Sequence, residues 1–146
     1  MSKLNISAPA RRQMIEDALR TFPDECCGFM FGSENEEVRP ISAITVVDNS
    51  KEGDKRRRFE IRPTDYLRAE QYAEENGLAL LGIYHSHPNH PSVPSEHDRV
   101  AAQPYFSYVI ISIYERQFRS LQSWQLNEQS QFQEEEIFKA EFFNQA

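Results

Sequence analysis

An uninterrupted apolar run over residues 78–84 constrains the fold more than any other feature, and it leads directly into His85. A strand with apolar residues at successive positions is usually buried on both of its faces. Residues 108–113 form a second run of this kind. Because two doubly buried strands need covering layers on either side, we expect an α/β fold with helices on both faces of a sheet.

Two helices can be placed from their end signals. Ser7 can cap a first helix that runs to about Thr21, with apolar residues at helical spacing along one face. Pro63 suits the first position of a second helix, and Asn76-Gly77 is typical of its end.

Shorter segments with strand patterns complete the expected sheet. The tail over residues 130–143 is ambiguous, because Phe138 and Phe142 suit a helix whereas Phe132 suits a strand. The element order indicates one domain over residues 1–146, with a mixed sheet between helical layers. Further strands are expected at residues 26–32, 38–47, 59–62 and 116–126, with a turn at 33–36 and a loop with a short helix at 88–102.

The charge of the chain argues against a nucleic-acid partner. Its 146 residues carry a net charge of −7, whereas binding to a phosphate backbone depends on Lys and Arg. The one basic cluster, residues 55–58, is either a solvated loop or a local docking patch. We find no signal-peptide core and no run approaching about 18 apolar residues, so we expect a soluble cytoplasmic protein without a membrane partner.

The two cysteines, Cys26 and Cys27, are adjacent in the sequence. Neighbours in an extended segment point to opposite faces, so a disulfide between them would be strained. No Cys-x-x-Cys zinc pattern occurs. We expect both to be small buried hydrophobes, with a thiolate zinc ligand as the alternative.

The chemically informative segment covers residues 85–98. His85 and His87 occupy alternate positions of a strand and therefore project from the same face. A loop that contains three prolines follows, and it is stiff enough to return Asp98 to the two histidines. Two imidazoles and one carboxylate make the three-ligand set of catalytic zinc, which keeps its fourth position open for water.

Each part of this segment also has a simpler interpretation. A lone His-x-His pair on a strand is common and carries little information by itself. Ser95 and Asp98 fit a capping box at the start of a helix, although a capping serine can still present its hydroxyl to a pocket. His90 and His97 are interpreted as solvated loop residues.

The complete pattern is more specific than its parts. The sequence His-x-His-Pro-x6-Ser-x2-Asp is the signature of the JAMM (MPN-plus) metalloproteases, and residues 85–98 match it without a gap. Residues 23–32 resemble the Glu-x-Cys-Gly stretch of the stand-alone bacterial members, and residues 58–63 and 82–84 also look like that subgroup. The resemblance covers residues 8–126, so the chain is identified as a JAMM domain.

The resemblance implies a cytidine-deaminase-like fold of α/β/α layers and a zinc-dependent peptidase or isopeptidase. It implies that His85, His87 and Asp98 bind Zn2+. Glu25 would be the base that takes a proton from the attacking water and later delivers it to the leaving amine, with Asp24 as the nearest alternative. Ser95 would donate a hydrogen bond to the oxyanion.

The closer resemblance is to bacterial enzymes that hydrolyse the amide bond after the C-terminal Gly-Gly of a ubiquitin-like sulfur-carrier protein. Such an enzyme releases an amino acid, such as cysteine, or trims a precursor extension. Family members that cleave polyubiquitin with linkage preference carry insertions around the substrate groove. In this chain the connection over residues 48–57 is short by comparison. The identity of the carrier, cleavage of ubiquitin itself and the oligomeric state stay open.

Two alternatives come from other functional classes. A metal-free MPN scaffold is one, but all five expected site residues are present. A zinc deaminase is the other, and its chemistry requires His-x-Glu followed by Pro-Cys-x-x-Cys. Neither deaminase motif occurs in the chain.

Overall fold

A computed structural model describes residues 3–35 and 37–138, and these residues form three helices and seven strands. The helices are α1 (Ala8–Thr21), α2 (Pro63–Glu75) and α3 (Glu96–Ala101), and the strands are β1 (Lys3–Ile6), β2 (Cys27–Gly32), β3 (Val38–Val47), β4 (Ala79–Pro88), β5 (Ser107–Tyr114), β6 (Gln117–Leu126) and β7 (Phe132–Glu135). These strands form one sheet in the order β1-β3-β2-β4-β5-β6-β7. The sheet is mixed as predicted, because β1 is parallel to β3 and β4 to β5, whereas the other neighbours are antiparallel.

The two apolar runs form the central strands β4 and β5, as the sequence predicts. β4 pairs with β2 on one side and with β5 on the other. Gly82 permits the close approach of β5, since a Cβ at this position would lie 2.0 Å from the Ser107 carbonyl oxygen. β4 continues through His85 and His87, so both histidines belong to a strand that is paired along both edges.

Helices cover both faces of the sheet, which confirms the predicted layers. Met14 of α1 lies in one apolar cluster, and Ala69 of α2 lies in a second. Within β2, Met30 belongs to the first cluster whereas its neighbours Phe29 and Phe31 belong to the second. Because alternate strand residues point to opposite faces, the two helices lie on opposite sides of the sheet.

The helix boundaries follow the signals in the sequence. The Ser7 hydroxyl caps α1 by accepting a hydrogen bond from the Ala10 amide at 3.2 Å. Pro63 is the first residue of α2, and Gly77 follows its end with a φ of 64°, in the left-handed region that favours glycine.

The predicted strand at residues 59–62 is wrong. The segment is an extended connection outside the sheet, and side chains supply much of its hydrogen bonding. The amide of Glu60 donates to Asn49 Oδ1 at 3.1 Å, and its carbonyl accepts from the amide and hydroxyl of Ser50. Asn49 and Ser50 thus replace the ladder that a neighbouring strand would have provided.

The ends of the described chain add two edge elements. β7 supports the strand interpretation of Phe132, whereas the helix suggested by Phe142 lies outside the described residues, as does Glu36 in the predicted turn. β1 was not predicted, although Leu4 and Ile6 show the alternation of a strand with one buried face. Within the part of the chain that the structure describes, no helix is long and apolar enough to cross a membrane.

Candidate metal centre

The structure brings together the three predicted ligands at the end of β4. The Nε2 atoms of His85 and His87 lie 3.1 Å apart. Oδ2 of Asp98 lies 3.2 Å from Nε2 of His87 and 3.4 Å from Nε2 of His85. One oxygen and two nitrogens, each with a lone pair, therefore converge on a single point.

These spacings fit a tetrahedral zinc ion. Ligand atoms that lie about 2.0–2.2 Å from one tetrahedral zinc ion are separated from each other by about 3.3 Å. The observed separations of 3.1, 3.2 and 3.4 Å fall around this value. The donor set is also the one that catalytic zinc uses, with a fourth position left open.

Neighbouring groups orient the two imidazoles. Nδ1 of His87 lies 2.8 Å from the Pro91 carbonyl oxygen, which fixes the proton on Nδ1 and leaves Nε2 free to bind a metal. The ring of Phe59 stacks on the ring of His85 at a centroid distance of 4.5 Å. Burial lowers the pKa of His85, so its imidazole is neutral, as metal binding requires.

Asp98 is placed by the helix start that the sequence indicates. Ser95 is the N-cap of α3, and its hydroxyl accepts a hydrogen bond from the Asp98 amide at 3.0 Å. The Ser95 amide donates in return to Oδ2 of Asp98 at 2.9 Å, the same oxygen that faces both histidines. Burial alone would raise the pKa of Asp98, whereas the hydrogen bond from the Ser95 amide favours the carboxylate and lowers it. Asp98 therefore serves both as the N3 residue of the capping box and as a predicted metal ligand.

Glu25 is a buried carboxyl whose Oε1 has no hydrogen-bond partner within the described residues. Burial raises the pKa of Glu25 to about 9, with a further contribution from the charge of Asp98. Burying a carboxyl without a partner is costly, so such a group usually serves a ligand or a reaction.

Two cavities flank the metal centre. The larger, of about 480 Å³, is called here the arginine-lined cavity, and its walls include Glu25, His87, Ser95, Arg57 and Arg58. The smaller, of about 230 Å³, is called the apolar cavity, and its walls include Phe59, Ile61, Tyr66, Ile83, Tyr108 and the ligands His85 and Asp98. Because the three ligands are divided between the two cavities, the metal centre lies at the junction between them.

Sequence reasoning missed two residues that hold Glu25 in place. The Ser86 hydroxyl accepts a hydrogen bond from the Cys26 amide at 2.8 Å, and the Ser86 amide donates to the Cys26 carbonyl at 3.2 Å. The side-chain amide of Asn49 donates to the Glu25 carbonyl at 3.1 Å. The position of Ser86 between two ligands was a usable signal, whereas an asparagine in a polar loop is too common to single out.

The other candidates do not join the metal centre. Cys26 and Cys27 are buried free thiols, as expected, and burial raises the pKa of both, to about 12 for Cys27. Neither therefore offers a thiolate at neutral pH. His90 and His97 are exposed, as expected. His90 lies in the loop after β4, whereas the loop interpretation of His97 is wrong, because this residue belongs to α3.

The sequence matches the model of one protein family and is similar to those of individual named proteins. The family model for prokaryotic homologs of the JAB domain matches residues 7–127. A desampylase from Haloferax volcanii is 32% identical over 116 residues, covering 76% of this chain and 81% of the relative. A CysO-cysteine peptidase from Mycobacterium tuberculosis is 28% identical over 124 residues, covering 84% and 82%.

A crystal structure of a JAB1/MPN domain protein from Archaeoglobus fulgidus has the same fold, with a TM-score of 0.55 and 20% identity over 92% of this chain and 99% of that one. Its likeness confirms the predicted layered α/β fold. The relatives include proteins named as peptidases, which confirms the prediction of a hydrolytic enzyme. With the family match spanning most of its length, the chain belongs to the prokaryotic homologs of the JAB domain, the stand-alone JAMM proteins.

Proposed function

We propose that this protein is a cytoplasmic zinc peptidase that hydrolyses the amide bond after the C-terminal Gly-Gly of a ubiquitin-like sulfur-carrier protein. One observation carries the proposal: two imidazole nitrogens and a carboxylate oxygen converge at tetrahedral spacing beside the unpartnered buried carboxyl of Glu25. A merely structural zinc site would be closed by a fourth protein ligand.

His85, His87 and Asp98 would hold the zinc ion. When bound, the ion supplies Lewis-acid chemistry, because it lowers the pKa of a water molecule and polarises the carbonyl under attack. Within the described residues no fourth histidine, cysteine or carboxylate ligand joins these three.

Glu25 and Ser95 would carry the proton and the developing charge. A cation held by the three ligands would favour the ionised form of Glu25, which would then take a proton from the attacking water and pass it to the amine that leaves. Ser95 lines the same cavity, where its hydroxyl can donate to the carbonyl oxygen as that atom gains negative charge. The C–N bond breaks, the water oxygen remains in the new carboxylate of the carrier, and the amine leaves neutral or protonated.

The carrier tail can reach the metal centre along residues 58–62. This extended segment uses the backbone groups of Glu60 for Asn49 and Ser50, so those of Phe59 and Ile61 face the other way. An extended tail could pair with that edge as an added strand. Glycines suit the last two tail positions, because the backbone must pass close to the metal centre.

The named relatives support this substrate class. One is named a desampylase and another a CysO-cysteine peptidase, and the second name joins a peptidase activity to a terminal group such as cysteine. The folded body of the carrier would provide most of the binding energy, at a distance from the reaction.

The test is to incubate the zinc-loaded protein with a panel of ubiquitin-like proteins that end in Gly-Gly plus one further group, and to read the products by mass spectrometry. We expect one new C-terminus, directly after Gly-Gly. Equal hydrolysis of matched Gly-Gly and Ala-Ala tails, or equal efficiency on a short peptide without the carrier body, would instead indicate a general peptidase.

A further inference from the structure

The arginine-lined cavity has a cationic wall that the proposed function leaves unused. Arg57 and Arg58 line it together with Glu25 and Ser95. The chain as a whole carries a net charge of −7, so two adjacent cations beside the reactive carboxyl are not explained by composition.

The backbone beneath Arg58 is tied to the backbone of Glu25. Nδ2 of Asn49 donates to the Glu25 carbonyl at 3.1 Å and to the Arg58 carbonyl at 3.0 Å. The Glu25 amide donates to the Lys55 carbonyl at 2.7 Å. The folded structure therefore fixes the backbone of Arg58 relative to that of Glu25, while its long side chain stays free to meet a ligand.

The two arginines of this cavity differ in their ion pairs. Nε of Arg57 lies 3.6 Å from a carboxylate oxygen of Asp54. Among the described residues, no carboxylate forms an ion pair with Arg58. Its charge reaches Glu25, because it opposes the rise in the pKa of Glu25 that burial and Asp98 cause.

The leaving group must lie in this cavity. In the proposed reaction Glu25 delivers a proton to the leaving amine, so that nitrogen comes within hydrogen-bond reach of Glu25. In a released amino acid only the Cα atom separates the nitrogen from the α-carboxylate. The carboxylate then enters the cavity that Arg58 lines. A lysine side chain, by contrast, brings only methylene groups to the same place.

We infer that Arg58, with Arg57 beside it, recognises the free α-carboxylate of the residue that is released. The preferred substrate would then be a carrier whose Gly-Gly is extended by one C-terminal amino acid, in preference to a carrier joined to a lysine side chain. A guanidinium suits this task because its forked donors match both oxygens of a carboxylate. The inference rests on the proposed function, since it uses Glu25 as the group that protonates the leaving amine.

The experiment compares three leaving groups on one carrier body, the body turned over fastest in the panel described above. These are alanine with a free carboxylate, alaninamide, and a peptide lysine linked through its Nζ atom. We expect kcat/KM to be about 10- to 100-fold higher for alanine than for alaninamide, the range that one charge-assisted hydrogen bond supplies. The lysine-linked substrate should behave like the amide, and the ratio should shrink as salt is added.

Arg58→Ala should reduce the alanine-to-alaninamide ratio to within about twofold, and the ratio is the readout because a change in charge near Glu25 affects both substrates alike. Arg56→Ala is the matched control, because Arg56 belongs to the same basic cluster without lining the cavity, and it should leave the ratio intact. Equal slowing of both substrates in Arg58→Ala would overturn the inference, because the arginine would then act on the reaction or on the carrier body and not on the α-carboxylate. A ratio that persists in Arg58→Ala would overturn it as well.

A binding measurement separates this inference from the proposed function. The zinc-loaded Glu25→Gln protein is titrated by calorimetry with the alanine-extended carrier and with its alaninamide form, with Arg58 intact or replaced by Ala. Tighter binding of the free acid that depends on Arg58 supports the carboxylate site even if no carrier is cleaved, a result that would count against the proposed function alone. Equal binding of acid and amide to the protein with Arg58 intact overturns the inference.

Discussion

The two cavities on either side of the metal centre are built differently. The apolar cavity is the smaller. Residues of α2, α3, β4, β5 and the connection before α2 form its walls, and its large apolar side chains belong to or pack against one of the two apolar clusters. The arginine-lined cavity is larger, and loop segments carry its charged residues, Glu25, Arg57 and Arg58. Its backbone is fixed largely through the hydrogen bonds of one side chain, that of Asn49.

This difference gives the site a direction, by which we mean that the leaving amine and the carrier tail occupy different cavities. The group that exchanges protons, Glu25, lies on the arginine side, so the amine should leave there. The apolar side then remains for the carrier tail. The metal ligands serve both sides, because His87 lines one cavity while His85 and Asp98 line the other. Substitutions at the junction should therefore abolish all activity, whereas substitutions in either cavity should affect one half of the substrate.

The largest effect is expected from His87→Ala. Removing one of three ligands should release most of the zinc and reduce turnover to background, whatever the leaving group. Metal analysis of the purified variant provides the measurement. Stoichiometric zinc retained in both His85→Ala and His87→Ala would show that the junction is not the metal site.

Glu25→Gln should reduce turnover by roughly 10²- to 10⁴-fold, the usual contribution of a general base. The amide has the shape of the carboxyl but cannot take the proton of the attacking water. Zinc content and the melting temperature should stay close to those of the unsubstituted protein, and single-turnover kinetics on the alanine-extended carrier gives the rate. An active Glu25→Gln protein would remove the reason for placing the leaving amine on the arginine side.

Ser95→Ala should cost on the order of 10²-fold in turnover if the hydroxyl meets the oxyanion. As the N-cap of α3 alone, the same residue would contribute only about 1 kcal/mol to stability and little to the rate. Turnover and melting temperature measured on the same variant separate the two roles. A stability loss without a rate loss would leave Ser95 as a cap.

Without metal, the raised pKa of Glu25 should make the protein less stable as pH rises. The folded protein keeps this proton up to about pH 9, whereas the unfolded chain loses it near its ordinary pKa of 4.5. Because the folded state binds more protons between these values, the free energy of unfolding falls across that window. Glu25→Gln lacks the titration, so by about pH 6 it should be more stable than the unsubstituted protein by about 2 kcal/mol.

Urea unfolding of the two chelator-treated proteins at pH 4.5, 6 and 7 tests this. The two curves should nearly coincide at the lowest pH and separate as pH rises. A constant difference across the range would show that Glu25 is not held protonated in the folded state.

The parts of the site that the sequence predicted share a local origin. His85 and His87 follow from strand alternation, and Asp98 lies in a capping box with Ser95, three positions before it. Glu25 came only from the family resemblance, because Ser86, which pairs with the backbone of the next residue, is about 60 positions away in the sequence. The layers could be predicted for the same reason as the ligands, since helix and strand periodicities repeat within a few residues.

The connection over residues 49–62 could not be predicted in the same way. Residues 59–62 have the pattern of a strand, yet the hydrogen bonds of Asn49 and Ser50 satisfy the backbone of Glu60 and keep the segment out of the sheet. Which cavity Arg58 and Ile61 would line depends on this arrangement. The assignment of each cavity to one part of the substrate therefore depends on the tertiary structure and could not be predicted from local sequence patterns.

The smallest effect is expected on the apolar side, from Ile61→Asp. Ile61 lines the apolar cavity and packs against the cluster under α2. A carboxylate there should repel an apolar tail residue and raise KM for the carrier by about tenfold, since one apolar contact in a pocket contributes about 1–3 kcal/mol. The alanine-to-alaninamide ratio should not change, because that ratio is set in the other cavity. Leu67→Asp is the control, since Leu67 is an exposed residue of α2 that does not line the cavity. If Ile61→Asp alters the leaving-group ratio and leaves KM unchanged, the direction assigned to the site is reversed.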